Sequence, residues 1–274
     1  MSERVAVRKT YKLFIGGKFP RSESGRSYQV RNTNVALASR KDVRDAVVAA
    51  RKAQPGWAGA TAYNRAQVLY RIAEMLEGRR EQFTGLGVPS DEVDEAIDRW
   101  VWYAGWADKI IQVYGGANPV AGPYFNLSVP EPTGVVGIIA PARPVLLGLV
   151  SVVAPAIVTG NTVVVLAAEQ GPLPAITLAE VLATSDLPGG VVNILTGRAA
   201  ETAPWLAGHF DVNAIDLTGV TDAALAKRLE EAAADNLKRV LRPPAVEPDW
   251  TADPGIGPMT VLLETKTVWH PKGS

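Results

Sequence analysis

From Gly134 onward, short runs that are apolar on both faces alternate with helix-length segments, and nothing else in the 274-residue chain constrains its fold as much. The runs occupy 135–139, 162–166, 191–195, 213–217 and 237–241, with helical stretches near 145–158, 173–184, 199–208 and 221–234. A strand without a polar face must be covered on both sides. Strands separated by helices run parallel, because each crossover returns the chain to the same end of the sheet. Right-handed crossovers then predict an α/β fold, a Rossmann-like, doubly wound parallel sheet.

Upstream, the pattern is helical. Ser39 stands as an N-cap with Asp42 three residues on, followed by Val43, Ala46, Val47 and Ala50 at helical spacing. Leu69, Ile72, Met75 and Leu76 mark a second helix, and Val93, Ile97, Trp100, Val101 and Ala104 a third, with Ser90 as its cap. Downstream, 242–258 holds Pro243, Pro244, Pro248, Pro254 and Pro258, so it reads as an extended connector. Residues 259–269 then read as a last strand, which needs a partner. The uncharged stretch from Pro144 to Ala168 has the length of a membrane span, but Pro155 and the turn at Gly160-Asn161-Thr162 divide it into helix, turn and buried strand.

Several function classes are disfavoured by composition. Basic and acidic residues balance at 28 each, so no excess potential points to nucleic acid or an anionic membrane. There is no cysteine, hence no disulfide, no thiolate–metal site and no thiol nucleophile. The two histidines, His209 and His270, lack ligand spacing, so no metal is expected. The N-terminus has no signal-peptide core, and a cytoplasmic protein is expected. The acidic run Asp91, Glu92, Asp94, Glu95 and Asp98 reads as a solvated helix face, and there is no GxGxxG.

The wording of the segments is more specific than their pattern. Glu131-Pro132-Thr133-Gly134-Val135-Val136-Gly137-Ile138-Ile139, Ala154-Pro155-Ala156, Gly160-Asn161-Thr162-Val163-Val164, Ala168-Glu169-Gln170 and Leu187-Pro188-Gly189-Gly190-Val191-Val192-Asn193 follow one another in order. With Thr218-Gly219, Asn236-Leu237-Lys238-Arg239-Val240 and the terminal Glu264-Thr265-Lys266-Thr267-Val268-Trp269, they resemble the aldehyde dehydrogenase superfamily over nearly the whole chain. The resemblance implies a coenzyme domain over 1–122 and 132–241, and an oligomerisation β-arm from 123–131 and 259–270. The connector 242–258 then stands where the family has its catalytic domain. The chain is similar to the truncated, cysteine-free second half of the two-part aldehyde dehydrogenases of family 16.

The departures bear on activity. Where the family has Pro-Trp-Asn, with the Asn on the oxyanion, this chain has Pro141-Ala142-Arg143. Where it has Lys-Pro-Ala-Glu for the ribose, this chain reads Leu166, Ala167, Ala168, Glu169, keeping only the acid. Val220 follows Thr218-Gly219 in place of the family's Ser, and Pro243-Pro244 aligns with the start of the general-base motif. The resemblance therefore implies no catalytic residue, and residual cofactor contacts at Glu169, Thr218 and Gly219 at most. NAD or NADP binding is expected to be weak or absent. The expected role is a pseudoenzyme subunit, structural or regulatory, with a catalytic aldehyde dehydrogenase subunit as partner. The arm is expected to add a strand to that partner, and homo-oligomerisation through the coenzyme-domain helices can accompany it. An alternative is a nicotinamide- or adenine-nucleotide-binding module without turnover. An active oxidoreductase ranks below both.

Overall fold

The coordinates, a computed structural model, describe residues 9–273. In this span Phe14 pairs its backbone with Ile194 (2.9 and 2.8 Å), and β1 (Ser27–Val30) and β2 (Thr33–Ala36) form a hairpin. A helical layer follows: α1 (Arg40–Gly59), α2 (Ala62–Glu77), α3 (Arg80–Gly85), α4 (Ser90–Ala104) and α5 (Lys109–Tyr114). Ser39 and Asp42 form the expected capping box on α1, whereas Ser90 is already helical and Pro89 precedes it. The strands β3 (Gly116–Asn118) and β4 (Tyr124–Pro132) lead into the alternating part. That part is β5 (Val135–Ile139), α6 (Leu147–Val158), β6 (Thr162–Leu166), α7 (Pro172–Leu182), β7 (Val192–Leu195), α8 (Ala199–Ala207), β8 (Ala214–Asp216), α9 (Ala223–Ala234) and β9 (Arg239–Leu241). The short helix α10 (Gly257–Thr260) and β10 (Leu263–Pro271) close the chain.

The five alternating strands form one parallel sheet in the order β7-β6-β5-β8-β9. Side chains alternate between its two faces. Val136, Ile138, Val163 and Val165 join one core, with Trp57, Leu69, Trp100 and Ile157. Val135, Ile139, Val164 and Leu166 join the other, with Val43, Ala50, Leu206 and Leu229. The lack of a polar face on β5 and β6 is thus explained by helices on both faces. None of the described helices is long and apolar enough to cross a membrane.

A second, antiparallel sheet has the order β10-β4-β3, with β4 and β10 paired along nine residues from Leu263↔Pro132 to Pro271↔Tyr124. Two residues tie this arm to the parallel sheet. Asn161 is fully buried; its side-chain oxygen accepts from Gly134 N (2.7 Å) and its amide donates to Leu262 O (3.0 Å). Arg239 donates from Nη1 to the carbonyls of Val261 and Leu263 (2.8 Å each) and pairs through Nη2 with Glu264 (2.7 Å).

The connector and the starts of two strands depart from the sequence pattern. The connector is irregular but docked: buried Arg99 donates to Trp250 O (2.6 Å) and Ala252 O (3.1 Å), and Trp250 and Ile256 pack on the core. The last strand starts at Leu263 rather than 259, because Met259 and Leu262 lie on and just after the helical turn α10 and are buried there. β9 starts at Arg239 rather than 237, because Leu237 has a positive φ (56°) and is almost fully exposed.

Replacing Asn161 by Ala leaves the Gly134 N–H without its partner, whereas the Leu262 carbonyl keeps a bond from Thr133 N (3.2 Å). Asn161→Ala is therefore expected to lower the unfolding free energy by roughly 1–3 kcal/mol, as read from the urea midpoint at unchanged m-value.

Candidate functional site

In a doubly wound sheet the chain leaves the strands in opposite directions at the point where strand order reverses, and a crevice opens beyond the carboxyl ends there. Here the reversal lies between β5 and β8. A cleft of about 580 Å³ occupies that place, with Ile139, Ala140, Val145, Leu173, Val220 and Leu225 among its walls.

Each sequence-derived candidate is bonded within the protein. Glu169, on the loop after β6, lines the cleft, but its Oε1 accepts from Ala199 N (2.7 Å), the first residue of α8. Its carbonyl accepts a long bond from the Tyr28 hydroxyl (3.4 Å), whose pKa is pushed up by burial and then by the Glu169 charge. Thr218 donates from both N (2.8 Å) and Oγ1 (2.5 Å) to Asp216 Oδ1 at the end of β8. Burial raises the Asp216 carboxyl above its usual range, and the two Thr218 bonds act in the opposite direction. Gly219 donates its N–H to Ile139 O (3.0 Å). A Cβ there would lie 2.1 Å from Ala140 O, so glycine is required for the close approach of this loop to the end of β5. Glu169 and Gly219 thus line the cleft together, and Thr218 belongs to the turn behind them.

The helix starts around the cleft follow one pattern. Glu92 reaches from α4 so that its Oε1 accepts from Leu146 N (2.6 Å) and Leu147 N (3.2 Å) at the head of α6. Helix α7 begins with Pro172, which has no N–H to offer. Glu169 caps α8, and Asp222 caps α9 through Ala224 N (2.9 Å). The four helices that follow β5, β6, β7 and β8 therefore start on a carboxylate or a proline. Sequence reasoning placed Glu92 on a solvated face. Its partner is 54 residues away, and no local signal points to the contact. Asp222, directly before a helical stretch, is recognisable as a cap by position.

The departures also have places. Leu166 and Val220 are buried in the same apolar cluster. Ala142 and Arg143 are exposed on the cleft rim, where Arg31 also lies, donating to Leu86 O (2.7 Å). Among the described residues, no group of three or more His, Asp or Glu could hold a metal ion. The buried Lys238, pushed down to about 8 by burial, precedes β9 at the opposite edge of the sheet and takes no part in the cleft.

This geometry has known relatives. The aldehyde dehydrogenase family matches residues 26–242. The cytosolic aldehyde dehydrogenase 1 of Elephantulus edwardii is 36% identical over 250 residues, covering 84% of this chain and 49% of the relative. Retinal dehydrogenase 2 of Homo sapiens is 36% identical over 251 residues, covering 84% and 47%. Among solved structures, an NAD+ complex of an aldehyde dehydrogenase from Bacillus cereus superposes with a TM-score of 0.79 at 30% identity, over 85% of this chain and 50% of that one. The chain spans about half the length of the curated relatives it matches.

Two measurements check the electrostatics. Glu92→Ala strips the cap of α6 and is expected to cost about 1 kcal/mol, read from the denaturant midpoint. For Lys238 the sign is fixed by its depressed folded-state pKa: the native state releases the proton before the unfolded state does. Its contribution to stability rises as pH climbs from about 8 to 10.5. Lys238→Met should remove that rise, so the stability difference between variant and parent should narrow across the same window.

Proposed function

The chain belongs to the aldehyde dehydrogenase family, and from that premise we propose that it is a catalytically inactive member acting as a structural or regulatory subunit for a full-length aldehyde dehydrogenase. The observation that carries this reading is the absence of any cysteine among the 274 residues. Aldehyde oxidation by the family's covalent route needs a thiolate to attack the carbonyl, a donor for the oxyanion, a base for water and a nicotinamide for the hydride. The chain supplies no thiol, and Pro141-Ala142-Arg143 stands where the resemblance requires the oxyanion amide.

The residues present do not fit a dinucleotide either. A pyrophosphate is held by helix N–H groups and cations. Here the carboxylates of Glu92, Glu169 and Asp222 already occupy helix starts around the cleft, and a phosphate would meet like charge there. Leu166 offers no cation to a ribose and Val220 no hydroxyl to a phosphate. The second reading, a nucleotide-binding module without turnover, is supported by the cleft volume and by Glu169 on its lining. In the preferred reading the arm is the docking element, with Phe125, Leu127 and Val129 exposed on one of its faces.

The expected outcome is no NADH production from a panel of aldehydes by the purified chain, and no saturable NAD, NADP or AMP binding in equilibrium dialysis at micromolar concentrations. Saturable binding without turnover would favour the second reading, and turnover would overturn both. Co-expression with the full-length aldehyde dehydrogenases of the native host should give a co-purifying complex, and its absence for all of them would remove the subunit role.

A further inference from the structure

The outer edge of β10 carries a short, symmetric set of open hydrogen-bonding groups. The register with β4 is set by bonds such as Lys272 N to Pro123 O (2.7 Å) and Thr133 N to Leu262 O (3.2 Å). In an antiparallel ladder the bonded residues alternate. Glu264, Lys266, Val268 and His270 therefore turn their N–H and C=O groups toward β4, while Thr265, Thr267 and Trp269 turn theirs outward. At the two ends of the outward run the Leu263 carbonyl is taken by Arg239 (2.8 Å), and Pro271 has no N–H. Between them Thr265, Thr267 and Trp269 each turn one donor and one acceptor outward, and the midpoint of the three is Thr267.

Edge strands are ordinarily protected by charged side chains. Here those charges are held by the chain's own side of the sheet. Lys266 pairs with Glu131 on β4 (3.1 Å), and Glu264 with Arg239 on β9 (2.7 Å). Thr265, Thr267 and Trp269 are exposed, and β10 has a neighbour on one side only among the described residues.

We propose that this edge pairs with the same edge of a second copy of the chain, antiparallel about a two-fold axis through Thr267. This register sets Thr267 against Thr267 and Thr265 against the second copy's Trp269, and it pairs the outward donors and acceptors of these three residues in six hydrogen bonds. The same axis places Glu264 opposite the second copy's His270, and Lys266 opposite its Val268. Moving the axis to Lys266 would set two ammonium groups against each other and leave the Trp269 amide open. An isologous contact of this kind closes as a dimer and does not propagate into a fibre. It joins two three-stranded arms into one six-stranded antiparallel sheet. It does not depend on the catalytic status of the chain and leaves the Phe125–Leu127–Val129 face free.

The test uses the full chain, whose lack of cysteine makes single-cysteine variants clean probes. Light scattering with size-exclusion chromatography should show a dimer at micromolar concentrations. Thr267→Pro, which removes an N–H that β4 does not use, should give loss of the dimer. Thr267→Cys should cross-link under mild oxidation, because directly opposed Cα atoms in a bonded antiparallel pair lie about 5.5 Å apart, within disulfide reach. Glu264→Cys should not cross-link, since the two-fold sets the copies' 264 positions about 20 Å apart. If Thr267→Pro fails to fold, the two cysteine variants still decide. A monomeric parent, a dimer that persists in Thr267→Pro, or equal cross-linking of both cysteine variants would overturn the proposal. Protection of Thr267→Cys from thiol reagents only on adding a catalytic aldehyde dehydrogenase would assign the edge to that partner instead, and would also overturn it.

Discussion

Both faces of β5 and β6 must be shielded from water, and the remaining architecture is arranged around that requirement. All five positions of each of these two strands are buried. At roughly 1.5–3 kcal/mol for each large aliphatic side chain, leaving either face open would cancel the net stability of a domain this size. The helices α4, α6 and α7 on one side and α1, α8 and α9 on the other meet the requirement. Two of the polar side chains that interrupt this core serve the backbone: Asn161 holds Gly134 and Leu262, and Trp57 donates to Ile157 O (2.8 Å).

The same topology that buries the strands brings four helix starts to the carboxyl edge of the sheet, where each leaves backbone N–H groups without intrahelical partners. Glu92 takes two such groups at α6, Glu169 one at α8 and Asp222 one at α9, while α7 begins with a proline. The cleft keeps its volume beside these starts. Gly219 follows the same logic, its N–H spent on Ile139 O and its missing Cβ accommodating Ala140.

Between β9 and β10 the chain must cross from the parallel sheet to the arm. The prolines of 242–258 prevent regular structure, but buried Arg99 takes up two of the connector's carbonyls and Trp250 and Ile256 lie against the core, so the crossing is fixed in place. Arg239 then joins the last parallel strand to the root of the arm through two carbonyls and a carboxylate. The arm is in this way an extension of the sheet domain.

The sequence by itself determined the fold class, the five parallel strands, the helices between them, the capping box at Ser39 and the lack of a thiol. Each rests on local periodicity, on one residue's chemistry or on a bare count, and these survive folding because they depend on neighbours in the chain. Segment wording also singled out Glu169, Thr218 and Gly219, which lie on loops. The hairpin β1–β2 was missed because its turn uses Arg31 and Asn32 at positive φ, without the glycine that ordinarily marks such a turn. Only the tertiary structure decided what the loop residues do. Whether Glu169 faces a ribose or caps α8 depends on the position of Ala199, 30 residues on, and the cap supplied by Glu92 depends on a helix 54 residues away. The open edge at Thr265, Thr267 and Trp269 depends on which side of β10 the strand β4 takes. Such choices are made by long-range packing, and no window of sequence contains both partners.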